Sequence, residues 1–343
     1  MKKLRRTSKR ILKGSIGRTA IAGLLAVIAI GFVFGLVALR PKADTATTAS
    51  FQAGVAEKSG NVTQVADDQA GGGQAVRFNA PISQSLPPGT LLDTTFDNYP
   101  TGTLSVTNYK QAMGDPTMAA GASNLVNTSI VYVGDGRGNA LRQVLPSGGV
   151  GGGSGIVTFP KLSQAAEEAS LQYDIRFAAN FDWGWGGKLP GLGGAASGAA
   201  PGTAAGCAAP DGQSWSGRGM WITPGSYGSV TGSNEWIGYM YNYNKKDACG
   251  DNIRTRKAFQ KGVWHKVKQY YKLNTPGQAN GVHRMWLDGV QVINNTSFQY
   301  RNNNNLQINY MFWAIFRGGG TADWATPTDG IIDFDNLLIT TSP

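Results

Sequence analysis

The sequence predicts an all-β domain over residues 91–343, preceded by a basic segment at 1–19, a membrane-spanning helix at 20–39 and a flexible linker at 40–90. Three observations carry this. Glycine supplies 48 of 343 residues, about twice the usual ~7%, which argues for many turns and against a helix-rich architecture. From about Leu91 onward, short runs of β-branched and aromatic residues alternate with Gly, Asn, Asp and Pro, the pattern of an all-β sandwich or barrel. Asp288–Gly289 between HRMWL and VQVI reads as a two-residue hairpin turn, which needs positive φ at both positions. Hydrophobic residues at 41% and aromatics at 10% exclude a wholly disordered chain.

The formal charge of +10 belongs to one end of the chain. Residues 1–42 hold ten of the 31 Lys+Arg and none of the 21 Asp+Glu, so the remainder is neutral and the high pI gives no argument for nucleic acid. The uncharged stretch Ala20–Leu39 is long enough to span a bilayer as a helix. Eight basic residues precede it and only Arg40 and Lys42 follow at once, which places the N-terminus in the cytosol and the domain outside the membrane. Small residues at Ala43–Ala46 offer a cleavage site, so the domain is expected to be anchored, or secreted if the anchor is cut. Residues 43–88, rich in Ala, Gly, Thr, Ser and Gln and closing on Pro87–Pro88, read as linker.

Within the domain, Leu171–Phe177, Trp236–Tyr243, Val263–Leu273 and Leu306–Arg317 alternate with period two and are expected as strands. The low-complexity stretches 147–155 and 191–210 read as loops. Cys207 and Cys249, both on the extracytoplasmic side, are expected to form a disulfide. Two histidines are too few for a usual metal site. His265 shares the parity of Val267 and Tyr271 and reads as a core residue rather than a base. Asp329, Asp333 and Asp335 read as a solvated acidic turn sooner than as calcium ligands, so neither metal nor cofactor is expected.

YDIRFAANFDWGWGGKLPGLGG at 173–194 opens a series that continues with WSGRGMW at 215–221, GYMYNY at 238–243, GVWHKVKQYYKLN at 262–274, MWLDGVQV at 285–292, FRGGG at 316–320 and IDFDNLLI at 332–339. In this order the segments resemble the polysaccharide lyases of the alginate-lyase (family 14) and glucuronan-lyase type, over the whole of 91–343. The resemblance implies a concanavalin-like β-jelly-roll sandwich with substrate in its concave face. It also implies cleavage of a uronate polymer, alginate or glucuronan, by β-elimination to leave unsaturated uronate ends. Such chemistry must neutralise the carboxylate beside C5, take the C5 proton and protonate the leaving oxygen.

The family's catalytic motif falls on Lys188, Ser216, Arg218, Tyr239 and Tyr241. Lys188 and Arg218 are expected to neutralise the carboxylate, Tyr239 or Tyr241 to act as base and acid, and Ser216 to orient one of them. Tyr239, Tyr241 and Tyr243 at i, i+2 and i+4 would share one strand face. Taken without the resemblance, such a run is an ordinary aromatic sheet face. Trp183, Tyr243, Lys266, Lys268 and Arg317 are expected to bind substrate, Trp183 by stacking on a sugar ring or else merely packing its turn. Residues 245–272 carry nine basic side chains against Asp247 and Asp251, a basic stripe suited to an acidic polysaccharide in a groove. The chain is expected to act as a monomer. The long Ala/Gly/Pro stretch at 191–210 and the segment ITPGSYGSVTGSNEWI at 222–237, between the Arg and Tyr strands, depart from the family pattern and bear on which polymer fits. A lectin-like binding module on the same sandwich is the first alternative. The second is a glycoside hydrolase, which normally needs two carboxylates across one cleft.

Overall fold

A computed structural model describes residues 86–342, apart from 116, 122, 124 and 224–233, together with the backbone of three short strands nearer the N-terminus. Those strands, β1 (Thr48–Ala49), β2 (Val62–Ala66) and β3 (Gln74–Phe78), form a small antiparallel sheet in the order β1-β3-β2. Within the stretch expected as a flexible linker, VTQVA and QAVRF, with their β-branched and aromatic residues, pair antiparallel. The apolar run 20–39 lies outside the described residues. Among the described residues no helix is long and apolar enough to cross a membrane.

Residues 83–343 form a separate compact unit. Its elements are β4 (Thr90–Thr94), β5 (Gly102–Thr103), a short helix α1 (Val106–Ala112), β6 (Thr128–Tyr132), β7 (Asn139–Leu145), β8 (Ile156–Thr158), β9 (Lys161–Ala166), β10 (Glu168–Phe177), β11 (Gly186–Ala195), β12 (Ser214–Ile222), β13 (Glu235–Tyr241), β14 (Asp251–Lys257), β15 (Trp264–Lys272), β16 (Gly281–Leu287), β17 (Val290–Phe298), β18 (Ile308–Arg317) and β19 (Gly330–Thr340). They make two antiparallel sheets. The nine-stranded sheet runs β17-β16-β15-β10-β19-β7-β6-β5 with β4 also on β19, and the seven-stranded sheet runs β14-β13-β12-β11-β18-β8 with β9 also on β18.

The sheets face each other across one core. Leu171, Tyr173, Ile175 and Phe177 of β10 meet Trp215 and Trp221 of β12, Trp236 of β13 and Trp313 of β18 in a single buried cluster. Two polar contacts cross it: Tyr271 donates its hydroxyl to the Gly217 carbonyl at 3.0 Å, and Gln269 Nε2 donates to the Pro190 carbonyl at 2.9 Å. The predicted hairpin turn is present, with φ of 53° at Asp288 and 80° at Gly289. His265, 5% exposed, locks that turn. Its Nδ1 lies 2.8 Å from Asp288 Oδ2 while Nε2 accepts the Gln260 amide, so it is a packed structural residue, as its parity predicts.

Two expectations need correction. The stretch 191–195 is the second half of the central strand β11, not a loop. A Cβ at Gly191 would run into the Gly217 carbonyl and one at Gly193 into the Tyr310 ring, so glycine marks close backbone approach here rather than a turn. Asp333 and Asp335 are not a solvated turn either. They are buried on the face of β19 turned from the core, Asp333 held by Arg142 at 2.7 Å and Arg176 at 2.9 Å, Asp335 beside Arg137 at 3.7 Å. Asp329 accepts the Ser147 amide at 2.8 Å.

Candidate active site

The seven-stranded sheet carries a cleft of about 750 Å³ on its face away from the core. Strand alternation decides who lines it. In β12, Trp215, Gly217, Gly219 and Trp221 turn to the core, which sends Ser216, Arg218, Met220 and Ile222 the other way; in β13 the same rule sends Tyr239 and Tyr241 outward from Trp236 and Met240. Cross-strand register pairs Arg218 with Tyr239 and Ser216 with Tyr241. In β11 the register shifts between Lys188 and Gly191, at Leu189–Pro190, against both neighbours. This irregularity lets Lys188 face the cleft while Leu189 and Leu192 stay in the core.

Lys188 Nζ lies 4.0 Å from the centre of the Tyr239 ring and 2.9 Å from Met220 Sδ. The Arg218 guanidinium packs over Phe312 at 4.2 Å, with the Tyr239 and Tyr241 rings at 5.5 and 5.8 Å. Lys188 is 7% exposed and Arg218 3%, and among the described residues neither meets a carboxylate. Among the described residues Arg218 Nε has no hydrogen-bond partner. Buried cations in this state are costly unless an anion arrives. Burial, and next the neighbouring Arg218 charge, hold the Lys188 amine well below the ordinary lysine range. Burial lowers Arg218 as well, while the nearby phenols pull it back up.

The two phenol oxygens lie 3.4 Å apart. The Gly250 amide donates to Tyr239 at 3.2 Å and the Cys207 amide to Tyr241 at 3.0 Å. Burial pushes the Tyr239 phenol above its ordinary value, with Tyr241 adding to the rise and the Gly250 amide opposing it. Cys207 and Cys249 are joined by a disulfide that lies in the cleft wall.

The remaining predicted residues separate from this constellation. Ser216 is fully buried and donates its hydroxyl to the Ala204 carbonyl at 2.6 Å, pinning the loop above the sheet. Tyr243 lies beyond the end of β13, exposed, because Asn242 turns the chain through bonds to Asn244 and Gln299. Trp183 packs on Phe177 and Phe181, with ring centres 4.7 and 5.2 Å away, so it packs its turn; Trp185 is the exposed indole, set edge-on to the cleft residue Trp324. Arg317 has the core-side parity of Trp313 and Ile315, is fully buried, lies over Phe181 and donates to the Asp182 carbonyl. Lys266 and Lys268 belong to β15 in the other sheet, where Val267 and Gln269 take the core side and the lysines face outward, so the basic stripe does not line the cleft.

Met220, Phe312 and Trp324 are among the lining residues that the sequence reading does not single out. Met220 shares the parity of Ser216 and Arg218 and was readable on that ground. Phe312 and Trp324 carried no local signal, because β18 is buried on both faces and Trp324 comes from an irregular loop.

The polysaccharide lyase 14 family matches residues 140–337, which is more than half of the chain. The chain belongs to this family. Among solved structures, the alginate lyase Aly36B is 25% identical, with 74% of this chain and 98% of that one aligned at a TM-score of 0.61. A variant of that enzyme has been captured with an alginate tetrasaccharide. The marine alginate lyase from Aplysia kurodai shares the fold at 22% identity and a TM-score of 0.60, over 74% of this chain and 99% of that one. The exolysin of Paramecium bursaria Chlorella virus 1 is 28% identical over 181 residues; the match covers 46% of this chain and only 26% of that much longer relative.

Proposed function

We propose that this family member cleaves an alginate-type uronate polysaccharide by β-elimination on a jelly-roll sandwich. The observation that carries the reading is the pair of buried cations, Lys188 and Arg218, facing one cleft beside two phenols, with neither paired to a carboxylate among the described residues. A polymer with one carboxylate per sugar supplies the missing charge. Arg218 takes the carboxylate beside C5 and holds the negative charge that develops there. The Lys188 amine, depressed toward neutrality by burial, accepts the C5 proton. The C5–H electrons become the C4=C5 double bond, the C4–O4 bond breaks, and Tyr239, kept protonated by its raised pKa, donates its proton to O4. Tyr241 and Ser216 serve by holding Tyr239 and the covering loop.

Asp247 is the one acid among the described residues lining the cleft, which weighs against a hydrolase needing two. Eight basic residues before 20–39, against Arg40 and Lys42 after it, support a membrane-spanning segment with the domain extracytoplasmic.

The test is ultraviolet absorbance of the purified protein incubated with mannuronate-rich and guluronate-rich alginate, glucuronan and a neutral glucan. A rise with a uronate polymer marks the conjugated double bond. Binding without a rise would favour a lectin, and new reducing ends without a rise would favour a hydrolase. The rate should fall as pH drops and the Lys188 amine becomes protonated.

A further inference from the structure

We infer that the Cys207–Cys249 disulfide is a positioning element for proton donation: it anchors two backbone amides, that of Gly250 on the Tyr239 oxygen and that of Cys207 on the neighbouring Tyr241 oxygen, which together stabilise the negative charge left on Tyr239 once its proton has gone to the leaving oxygen. The inference rests on the lyase reading above and extends it to atoms outside the five side chains of the family motif.

The geometry is a short chain closed at both ends by the same crosslink. The Cys207 amide donates to the Tyr241 oxygen at 3.0 Å, the Tyr241 and Tyr239 oxygens are 3.4 Å apart, and the Gly250 amide donates to the Tyr239 oxygen at 3.2 Å. One donor belongs to a bonded cysteine and the other to the residue after its partner. The two loops are otherwise distant in sequence, one between β11 and β12, the other between β13 and β14. Cys207 holds φ at 65°, a left-handed conformation that a non-glycine residue seldom adopts unless its surroundings impose it. At Gly250 a Cβ would come within 2.7 Å of the Tyr241 ring and 2.9 Å of the Tyr239 ring, so only glycine lets that amide approach both phenols.

Preorganised donors of this kind stabilise charge most where water is excluded. Tyr239 is 9% exposed and Tyr241 4%. The charged and titratable groups facing the two phenols are Lys188 from β11, Arg218 from β12, Tyr310 from β18, and Lys245 and Asp247 from the loop after β13. Lys188 and Arg218 sit at the ring faces, whereas the amides reach the oxygens. The amides, not the cations, therefore meet the charge where it forms.

Leaving-group dependence tests this. Turnover is measured on alginate and on a uronate oligomer carrying fluoride at C4, whose departure needs little protonation, for the wild-type protein, Cys207→Ser/Cys249→Ser and Gly250→Ala. Melting curves confirm that each variant is folded, and Gly250→Ala keeps the disulfide in place. The expected result is a kcat on alginate lower by about tenfold or more, a KM within about twofold, and a loss of less than about threefold on the fluoride, because only proton donation is weakened. The alkaline limb of the alginate profile should move up in pH, since losing a donor to the phenolate raises the phenol's pKa. Equal losses on both substrates, a change confined to KM, or no loss at all would overturn the inference while leaving the lyase reading intact. No unsaturated product from the wild-type protein on any uronate would overturn both.

Discussion

The two sheets present arginine and lysine to their outer faces in opposite ways. On the nine-stranded sheet the arginines around β10 and β19 have acids: Arg137 bonds Asp174 at 2.8 Å, Arg142 and Arg176 share Asp333, and Trp264 is held between the Arg137 and Arg176 guanidinium planes at 4.6 and 4.7 Å. On the seven-stranded sheet Arg254 pairs with Glu235 at the edge, but Lys188 and Arg218 are more deeply buried and, among the described residues, meet only rings and a thioether. Charge density alone does not distinguish these faces; completion does. A paired cation is finished structure, while a buried cation lacking its anion stores a demand that a substrate can meet. The first face ties neighbouring strands of its own sheet to one another, and the second is arranged for an anionic guest.

Substitutions on each face should separate these roles. Lys188→Ala removes the proposed base and should cut turnover by about 10²–10⁴-fold, with the melting temperature unchanged or raised because a buried charge site is lost. Arg176→Ala, on the other face, should leave turnover unaltered; product absorbance against time measures both. Asp333→Asn leaves Arg142 and Arg176 without their shared carboxylate and should cost about 1–3 kcal/mol of stability, read from denaturant unfolding, again with normal activity. A smaller effect concerns Asp335. Burial lifts its carboxyl to about 6 from an ordinary 3.8, against the opposing pull of Asn336 and Arg137. The folded state then binds the proton more tightly than the unfolded chain, so stability is greatest below the ordinary value and declines as pH rises toward 6. Asp335→Asn should flatten that decline in melting temperature between about pH 4 and 6.

Much of this arrangement is written in local pattern. Period-two alternation placed β10, β13, β15 and β18, and with them the shared facing of Tyr239 and Tyr241, because which side of a strand a residue takes depends on neighbours one and two positions away. The Asp288–Gly289 turn was legible for the same reason. What alternation cannot give is which sheet a strand joins. The basic stripe of β15 and the tyrosines of β13 look alike as one-face patterns, yet they end on different sheets, since sheet membership is set by pairings as distant as Ala169 with Tyr271. Tyr243 continued the parity of Tyr239 and Tyr241 but fell past the point where Asn242 turns the chain. Glycines at 191–194 read as a loop because the large side chains that demand them, Trp215 and Tyr310, come from other strands.

The basic stripe offers the finest test of the contrast. Lys266 is exposed, Lys268 lies over Trp286 at 5.5 Å, and Lys272 is 3.6 Å from Glu168, which also accepts the Tyr270 hydroxyl. Here the charges are solvated or paired at the surface, where an ion pair contributes little and salt screens the rest. The double change Lys266→Ala/Lys268→Ala should therefore leave kcat within about twofold and raise KM for polymer only modestly, an increase that disappears on adding salt to about 0.15 M, where the Debye length falls to ~8 Å. Short oligomers should show no change at any salt, because they fill the cleft without reaching the other sheet. A salt-resistant loss of kcat on short oligomers would place these lysines in contact with the reacting sugar and erase the distinction between the two faces.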